Sequence, residues 1–195
     1  AAPGRREPLR VLDAGCGSGY GAAHLACLGP EVEVVGVDHN EEALAYARAH
    51  YRAPNLRFER ADCLALEFGD GAFDLVVAFE VIEHLGEAAA FLRQARRVLS
   101  PAGRLLLSTP NRRYYSEERA YANPFHTREY DAGELDALLE PLFPQRVILV
   151  QNHAAAVAFF PCGSTAQPAR PATGAWSAGP AAGAFGAAPA PGDQP

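Results

Sequence analysis

The chain has 195 residues, 17 basic against 23 acidic side chains for a formal charge of −6, and is 49% hydrophobic. That length suits one domain with a substantial core. No apolar run approaches the roughly 20 residues of a membrane-spanning helix, and Ala1 to Arg10 lacks the apolar stretch of a signal peptide, so a cytoplasmic protein with no membrane partner is expected. An acidic balance without a basic block gives no footprint for general nucleic-acid binding, and a nucleic-acid partner is not expected.

Every basic residue is Arg, and with no Met the chain is read as beginning inside a longer protein. The four cysteines (Cys16, Cys27, Cys63, Cys162) form no CxxC pair, so neither a disulfide framework nor a zinc knuckle is indicated.

Short apolar runs alternate with helix-period segments from Leu9 to about Phe160, the pattern of a parallel sheet covered by helices. Leu9 to Ala14 is the first strand, followed by a glycine loop and a helix ending near Leu28. Val32 to Asp38 is a buried-type strand, after which Asn40 caps a helix carrying Glu41 and Glu42 in its first turn. Leu56 to Arg60 and Phe73 to Ala78 are the next strands. Glu87 to Leu99 is a helix with Phe91, Leu92, Ala95, Val98 and Leu99 on one face. Ser100 to Gly103 is a turn with Pro101 at its second position, before a strand from Arg104 to Thr109.

The polar and aromatic stretch from Pro110 to Tyr130 has no regular period and is expected to form a lid over an acceptor pocket. Its arginines (Arg112, Arg113, Arg119, Arg128) are candidate clamps for a phosphate or carboxylate, and its aromatics candidate stacking surfaces. Asp131 and Glu134 then open a helix reaching Leu139. Arg146 to Val150 and Ala154 to Phe160 are two last strands, joined closely enough for an antiparallel hairpin. From Cys162 to Pro195 the chain is mostly Ala, Gly and Pro with isolated Trp176 and Phe185, so residues 1–161 are assigned to the domain and 162–195 to a disordered tail.

Chemistry concentrates first in Asp13-Ala14-Gly15-Cys16-Gly17-Ser18-Gly19, where glycines between a strand and a helix let a ligand approach the backbone closely. Gly17, Gly19 and Ala22 also satisfy the dinucleotide pattern G-x-G-x-x-G/A, which keeps a nicotinamide enzyme open from this segment alone. The segment resembles motif I, D-x-G-x-G-x-G, of the class I S-adenosylmethionine-dependent methyltransferases, in their type 11 and type 12-like domains. Asp38 at the end of the second strand, Ala61-Asp62-Cys63 after the third, Phe73 to Leu85 around the fourth and Leu99 to Leu107 over the turn and fifth strand are similar to further stretches of that family, in family order.

The resemblance implies a Rossmann-like, doubly wound α/β fold with a mostly parallel seven-stranded sheet, a terminal antiparallel hairpin, and S-adenosylmethionine at the carboxyl ends of the strands. It implies that Asp13, Gly15, Cys16, Gly17 and Gly19 surround the methionine part, Asp38 the ribose, His39 one adenine face, Asp62 and Cys63 the adenine edge, and Phe79 the methionine amine. Cys16 itself is read as a small packing residue, since no base lies near it in sequence.

A hydroxyl acceptor wants a base or a metal besides alignment. Glu80, Glu83 and His84 share one face if the segment after the fourth strand turns helical, and His126 is a fourth candidate. The E-x-x-E-H run with a later His resembles the metal set of small-RNA 3′-terminal 2′-O-methyltransferases, and alone it is similar to that of ubiquinone-pathway O-methyltransferases. Glu83, His84 and His126 are therefore the catalytic candidates, and Glu80, Glu83, His84 and His126 the candidate ligands of a divalent metal, Mg or Mn. The expected function is methyl transfer to a hydroxyl or amine of a small molecule, sugar- or quinone-like. The alternatives are a metal-dependent RNA 2′-O-methyltransferase and a cofactor-binding partner module without catalysis.

Overall fold

Residues 7–118, 120–151 and, for the backbone alone, 159–161 are described in a computed structural model. The chain divides into two units, residues 1–164 and 165–195, and the described residues lie in the first. The tail from Cys162 with Trp176 and Phe185, the boundary after residue 161, Arg119, and the chain joining the last two strands lie outside the described residues.

The elements are β1 (Leu9–Ala14), α1 (Tyr20–Ala26), β2 (Val32–Asp38), α2 (Glu41–His50), β3 (Leu56–Arg60), β4 (Phe73–Phe79), α3 (Ala88–Val98), β5 (Leu99–Ser108), α4 (Ala132–Leu139), β6 (Leu149–Gln151) and β7 (Phe159–Pro161). A 3₁₀ turn at Ile82–His84 and a π turn at Arg113–Glu117 complete them. Five strands form one parallel sheet in the order β3-β2-β1-β4-β5. Successive side chains of a strand point to opposite faces, so Val11, Val34 and Val77 pack in one core with Ala22, Leu44, Ala47 and Phe58. Their neighbours Leu12, Val35 and Val76 pack in the other with Phe91, Leu92, Ala95, Val98 and Leu139. Helices thus cover both faces, which is why these strands read as near-continuous apolar runs. The chain order reverses between β1 and β4, and in open α/β sheets the crevice beyond the carboxyl ends at such a point is where ligands bind.

Local signals set the helix starts. The Asn40 side chain accepts from the amides of Glu42 and Ala43, and Asp131 with Glu134 forms a reciprocal capping box at α4.

Two expectations are corrected. The fifth strand begins at Leu99, not Arg104: Phe73 pairs with Leu99 and Leu75 with Arg104, so residues 100–103 form an outward excursion within the strand. Gly103 closes it, since a Cβ there would lie 2.9 Å from Leu99 Cδ2 and 3.0 Å from the Ser100 carbonyl. The seven-stranded sheet is also not what the described residues form. β6 and β7, three residues each, pair antiparallel with one another and stand apart from the five-stranded sheet. Val147 and Leu149 remain exposed, so the apolar character of that run finds no ladder on β5. Among the described residues no helix is long and apolar enough to cross a membrane.

Candidate active site

The loop after β1 leaves the sheet through left-handed backbone at Gly15, Gly17 and Gly19. Gly19 is needed twice over, for its φ of 84° and because a Cβ would meet Ala47 Cβ at 2.6 Å and Phe58 Cζ at 2.7 Å. Gly17 differs, for a Cβ there meets nothing within 4 Å and its bare face is open. The loop is tied to β2 by the amides of Gly15 and Cys16, which both donate to the Val37 carbonyl at 2.8 and 2.9 Å.

Asp38 follows at once on β2. Its Oδ2 accepts from the Gly17 amide and its Oδ1 from the Asn40 amide, each at 2.8 Å. An ionised carboxylate has about four lone-pair sites, so two remain for a pair of vicinal hydroxyls. Its two neighbours in the expected set face solvent: His39 is 89% exposed, 3.5 Å from Asp38 Oδ1, and Asp62 accepts the Leu64 amide at 2.8 Å.

Asp13 is buried beneath the loop with the Ala22 amide as a hydrogen-bond donor, and burial pushes its carboxyl up to about 6, the Asp38 charge adding to the effect. Burial likewise pushes the thiols of Cys16 and Cys63 up to about 12, away from the thiolate that nucleophilic chemistry needs.

Across the switch point, β4 ends in exposed Phe79 and then Glu80, whose φ of 55° is rare for a residue with a side chain. The end of β5 holds that conformation: the Glu80 amide donates to the Ser108 carbonyl, and Ser108 Oγ donates to Glu80 Oε1 at 2.6 Å. The reversal drives Ile82 and Glu83 fully into the interior.

Glu83 Oε2 accepts from Thr109 Oγ1 at 2.8 Å, while Oε1 is buried without a partner. Burial raises this carboxyl above its ordinary range, against the pull of the Thr109 hydroxyl. The backbone carbonyl of Glu83 accepts from the amides of Thr127 and Arg128, which straps residues 125–128 over the 3₁₀ turn.

His84 completes that strap, its Nδ1 lying 2.8 Å from the Phe125 carbonyl. A carbonyl can only accept, so Nδ1 carries a proton, and in the neutral ring the lone pair is then on Nε2. The rings of His84 and His126 meet edge to face at 5.0 Å. Ligand atoms of Glu83, His84 and His126 lie within 4.8 Å of one another, so three of the four expected metal candidates come together. Glu80 does not belong to that group, its carboxylate being held by Ser108.

The insert between β5 and α4 is closed at its neck by a bridge between Asn111 and Tyr130, the Arg112 amide donating to the Tyr130 carbonyl at 2.9 Å. Arg112 is no anion clamp. Its guanidinium lies 3.2 Å from Glu117, 2.9 Å from Asp131 and 3.2 Å from Glu134, a staple between insert and α4. Arg128 lies 3.6 Å from Glu134 and 5.1 Å over the Tyr130 ring, with most of its side chain in solvent. Sequence reasoning assigned no role to Thr109, Asn123 or Glu129. The His126-to-Glu129 spacing of three was a signal for the last.

A family model described as a methyltransferase domain matches residues 6–150. A protein of Mycobacterium tuberculosis named "Probable S-adenosylmethionine-dependent methyltransferase" is 46% identical over 130 residues, 66% of this chain and 46% of that one. A ubiquinone biosynthesis O-methyltransferase of Azorhizobium caulinodans is 37% identical over 106 residues, 53% of this chain and 41% of that one. Among solved structures, the YcgJ protein of Bacillus subtilis superposes with a TM-score of 0.61 at 25% identity, over 75% of this chain and 68% of that one. The chain spans about half the length of the curated relatives it matches. These comparisons favour neither the RNA 2′-O-methyltransferase nor the non-catalytic module, and they support the sulfonium cofactor over a nicotinamide.

Proposed function

We propose, from the premise that the chain belongs to the methyltransferase-domain family, that it transfers a methyl group from S-adenosylmethionine to a hydroxyl of a small molecule. The observation that carries this reading is the position of His84. Its imidazole is fixed by the Phe125 carbonyl with the Nε2 lone pair free, on the turn that directly follows β4, beside the switch point that the glycine loop borders.

The cofactor supplies an electrophilic methyl on a positively charged sulfur. The chain supplies alignment and a proton acceptor. The open face of Gly17 and the two remaining acceptor positions of Asp38 are the features that receive the cofactor's backbone-hugging and ribose parts. Asp62, Cys63 and Phe79 are assigned to its adenine and amine ends on the family resemblance. When the acceptor oxygen takes the methyl, its proton passes to His84 Nε2. A phenol- or quinone-like acceptor is supported by the ubiquinone O-methyltransferase relative and by the exposed ring of Phe125, the residue whose carbonyl holds His84. Engagement of Arg112 by three carboxylates argues against its holding a phosphate-bearing acceptor.

A second reading, a divalent cation held by Glu83 and His84, with His126 joining only if its Nε2 exchanges the Asn123 amide for the cation, is favoured by the partnerless Oε1 of Glu83. Two imidazoles beside one carboxylate suit manganese better than magnesium. The cation would hold the acceptor oxygen and lower its pKa, leaving His84 a ligand instead of a base.

A panel of catechols, phenols and sugars, scored for methylated product by mass with and without chelator, tests both. Base chemistry predicts transfer that ignores the chelator and falls about 10²–10⁴-fold in His84→Asn. Loss of transfer in chelator, restored by Mn²⁺, selects the cation. Transfer to RNA 3′ ends alone overturns the small-molecule reading.

A further inference from the structure

The insert contains a buried polar chain that ends on His84. Glu129 and His126 are paired at 2.7 Å through Oε1 and Nδ1, with side chains only 9% and 7% exposed. Glu129 Oε2 accepts from Ser116 Oγ of the π turn. His126 Nε2 lies 3.0 Å from Asn123 Nδ2, and Asn123 Oδ1 accepts from the Phe125 amide at 3.0 Å. The Asn123 carbonyl accepts from the His126 amide at 3.1 Å, which closes a tight turn over residues 123–126. Phe125, in that turn, presents the carbonyl that binds His84 Nδ1.

The proton positions along this chain are forced. The Phe125 amide can only donate, so the Asn123 oxygen faces it and the Asn123 nitrogen faces His126. An amide nitrogen can only donate, so His126 Nε2 accepts and its proton sits on Nδ1, toward Glu129. Removing the Glu129 acceptor takes away what holds that proton on Nδ1. The other tautomer would set an Nε2–H against the Asn123 N–H, donor against donor, and open the turn that carries the Phe125 carbonyl.

We propose that Glu129 is a positioning residue, which acts through His126 and the Asn123 turn to hold His84 in the tautomer that leaves Nε2 free. The insert is thereby more than a cover, since its buried carboxylate sets the protonation pattern of an imidazole it does not touch. This rests on the reading of His84 as the proton acceptor, yet it is testable without cofactor or acceptor.

The test is ¹⁵N NMR of the histidine side chains in the whole chain at alkaline pH, comparing wild type, Glu129→Ala, Glu129→Gln and Asn123→Ala, with thermal melts on each. Wild type is expected to show His84 as a single tautomer protonated at Nδ1. Glu129→Ala and Asn123→Ala should each give a mixture of His84 tautomers while the remaining spectrum stays dispersed. Glu129→Gln, which keeps an acceptor oxygen for His126, should restore the single form. A His84 that stays purely Nδ1-protonated in folded Glu129→Ala or folded Asn123→Ala overturns the proposal. If Glu129→Ala fails to fold, Asn123→Ala decides, because it breaks the same chain at the turn while leaving both members of the His126–Glu129 pair in place. Undiminished methyl transfer by His84→Asn would instead sink the proton-acceptor reading and leave the tautomer result standing.

Discussion

The backbone amide of Gly17 donates to Asp38 Oδ2 at 2.8 Å, so the middle of the glycine loop and the carboxyl end of β2 are fastened to one another. A carboxylate held by two amides keeps its direction, and the ribose end of a nucleoside cofactor meets acceptors already aimed.

The loop glycines separate by role. Gly19→Ala drives a methyl into Ala47 and Phe58 and strains a left-handed residue, so it should cost several kcal/mol, about what overpacking and backbone strain together cost elsewhere. Gly17→Ala meets no atom and should cost only about 1 kcal/mol for its positive φ. It should nonetheless weaken cofactor binding at least tenfold, because the added methyl occupies the open face. Thermal melts and calorimetry on both variants check this. A Gly17→Ala protein with native cofactor affinity would remove the cradle from that position.

Asp13 gives a pH signature. Its folded pKa, about 6, exceeds the ordinary carboxylate value, so the folded state holds this proton more tightly than the unfolded chain. The stability it contributes is fully present below about pH 4 and is lost as the pH rises through about 6. Asp13→Asn should therefore be more stable than wild type at pH 8, by on the order of 1–3 kcal/mol, with the gap narrowing toward pH 4. Urea titrations at the two pH values measure it, and an equal gap at both would contradict the assignment.

The elements came through where local chemistry decides them. The bounds of β1, β2 and β3 follow from apolar runs between turns, and Asn40 and Asp131 stand at helix starts as their side chains demand. The turn at residues 100–103 was legible from Pro101 and Gly103, but its place inside β5 was not, because that depends on which residue of β4 each end pairs with. The partner of β6 was equally a matter of long-range pairing, which alternation within Arg146 to Val150 does not specify. At the site, Glu83, His84 and His126 were legible as residue types, and so was Asp38. The Glu80 carboxylate was misplaced because only the left-handed turn aims it at Ser108. The insert, without a period, is organised by buried pairs such as His126 with Glu129, and pairs of that kind leave little trace in spacing.

Arg112 supplies a prediction about the insert itself. Its removal takes the cation from Glu117 and Asp131 and leaves Glu134 with Arg128 alone. Arg112→Ala should lower the melting temperature slightly, expose the insert to limited proteolysis and leave cofactor affinity within about twofold, a level at which indirect effects are normally lost. A large drop in affinity for an anionic acceptor, with proteolysis unchanged, would restore the clamp.

The most direct measurement is calorimetric titration of the chain with S-adenosylmethionine and its demethylated product, with NAD as control and Asp38→Ala as the second protein. The account predicts binding of the sulfonium cofactor by the native chain, no response to NAD, and at least a tenfold loss in the variant, as expected when hydrogen bonds to a charged group worth about 1.5–3 kcal/mol each are removed. Binding of NAD alone, or sulfonium binding untouched by Asp38→Ala, would contradict it.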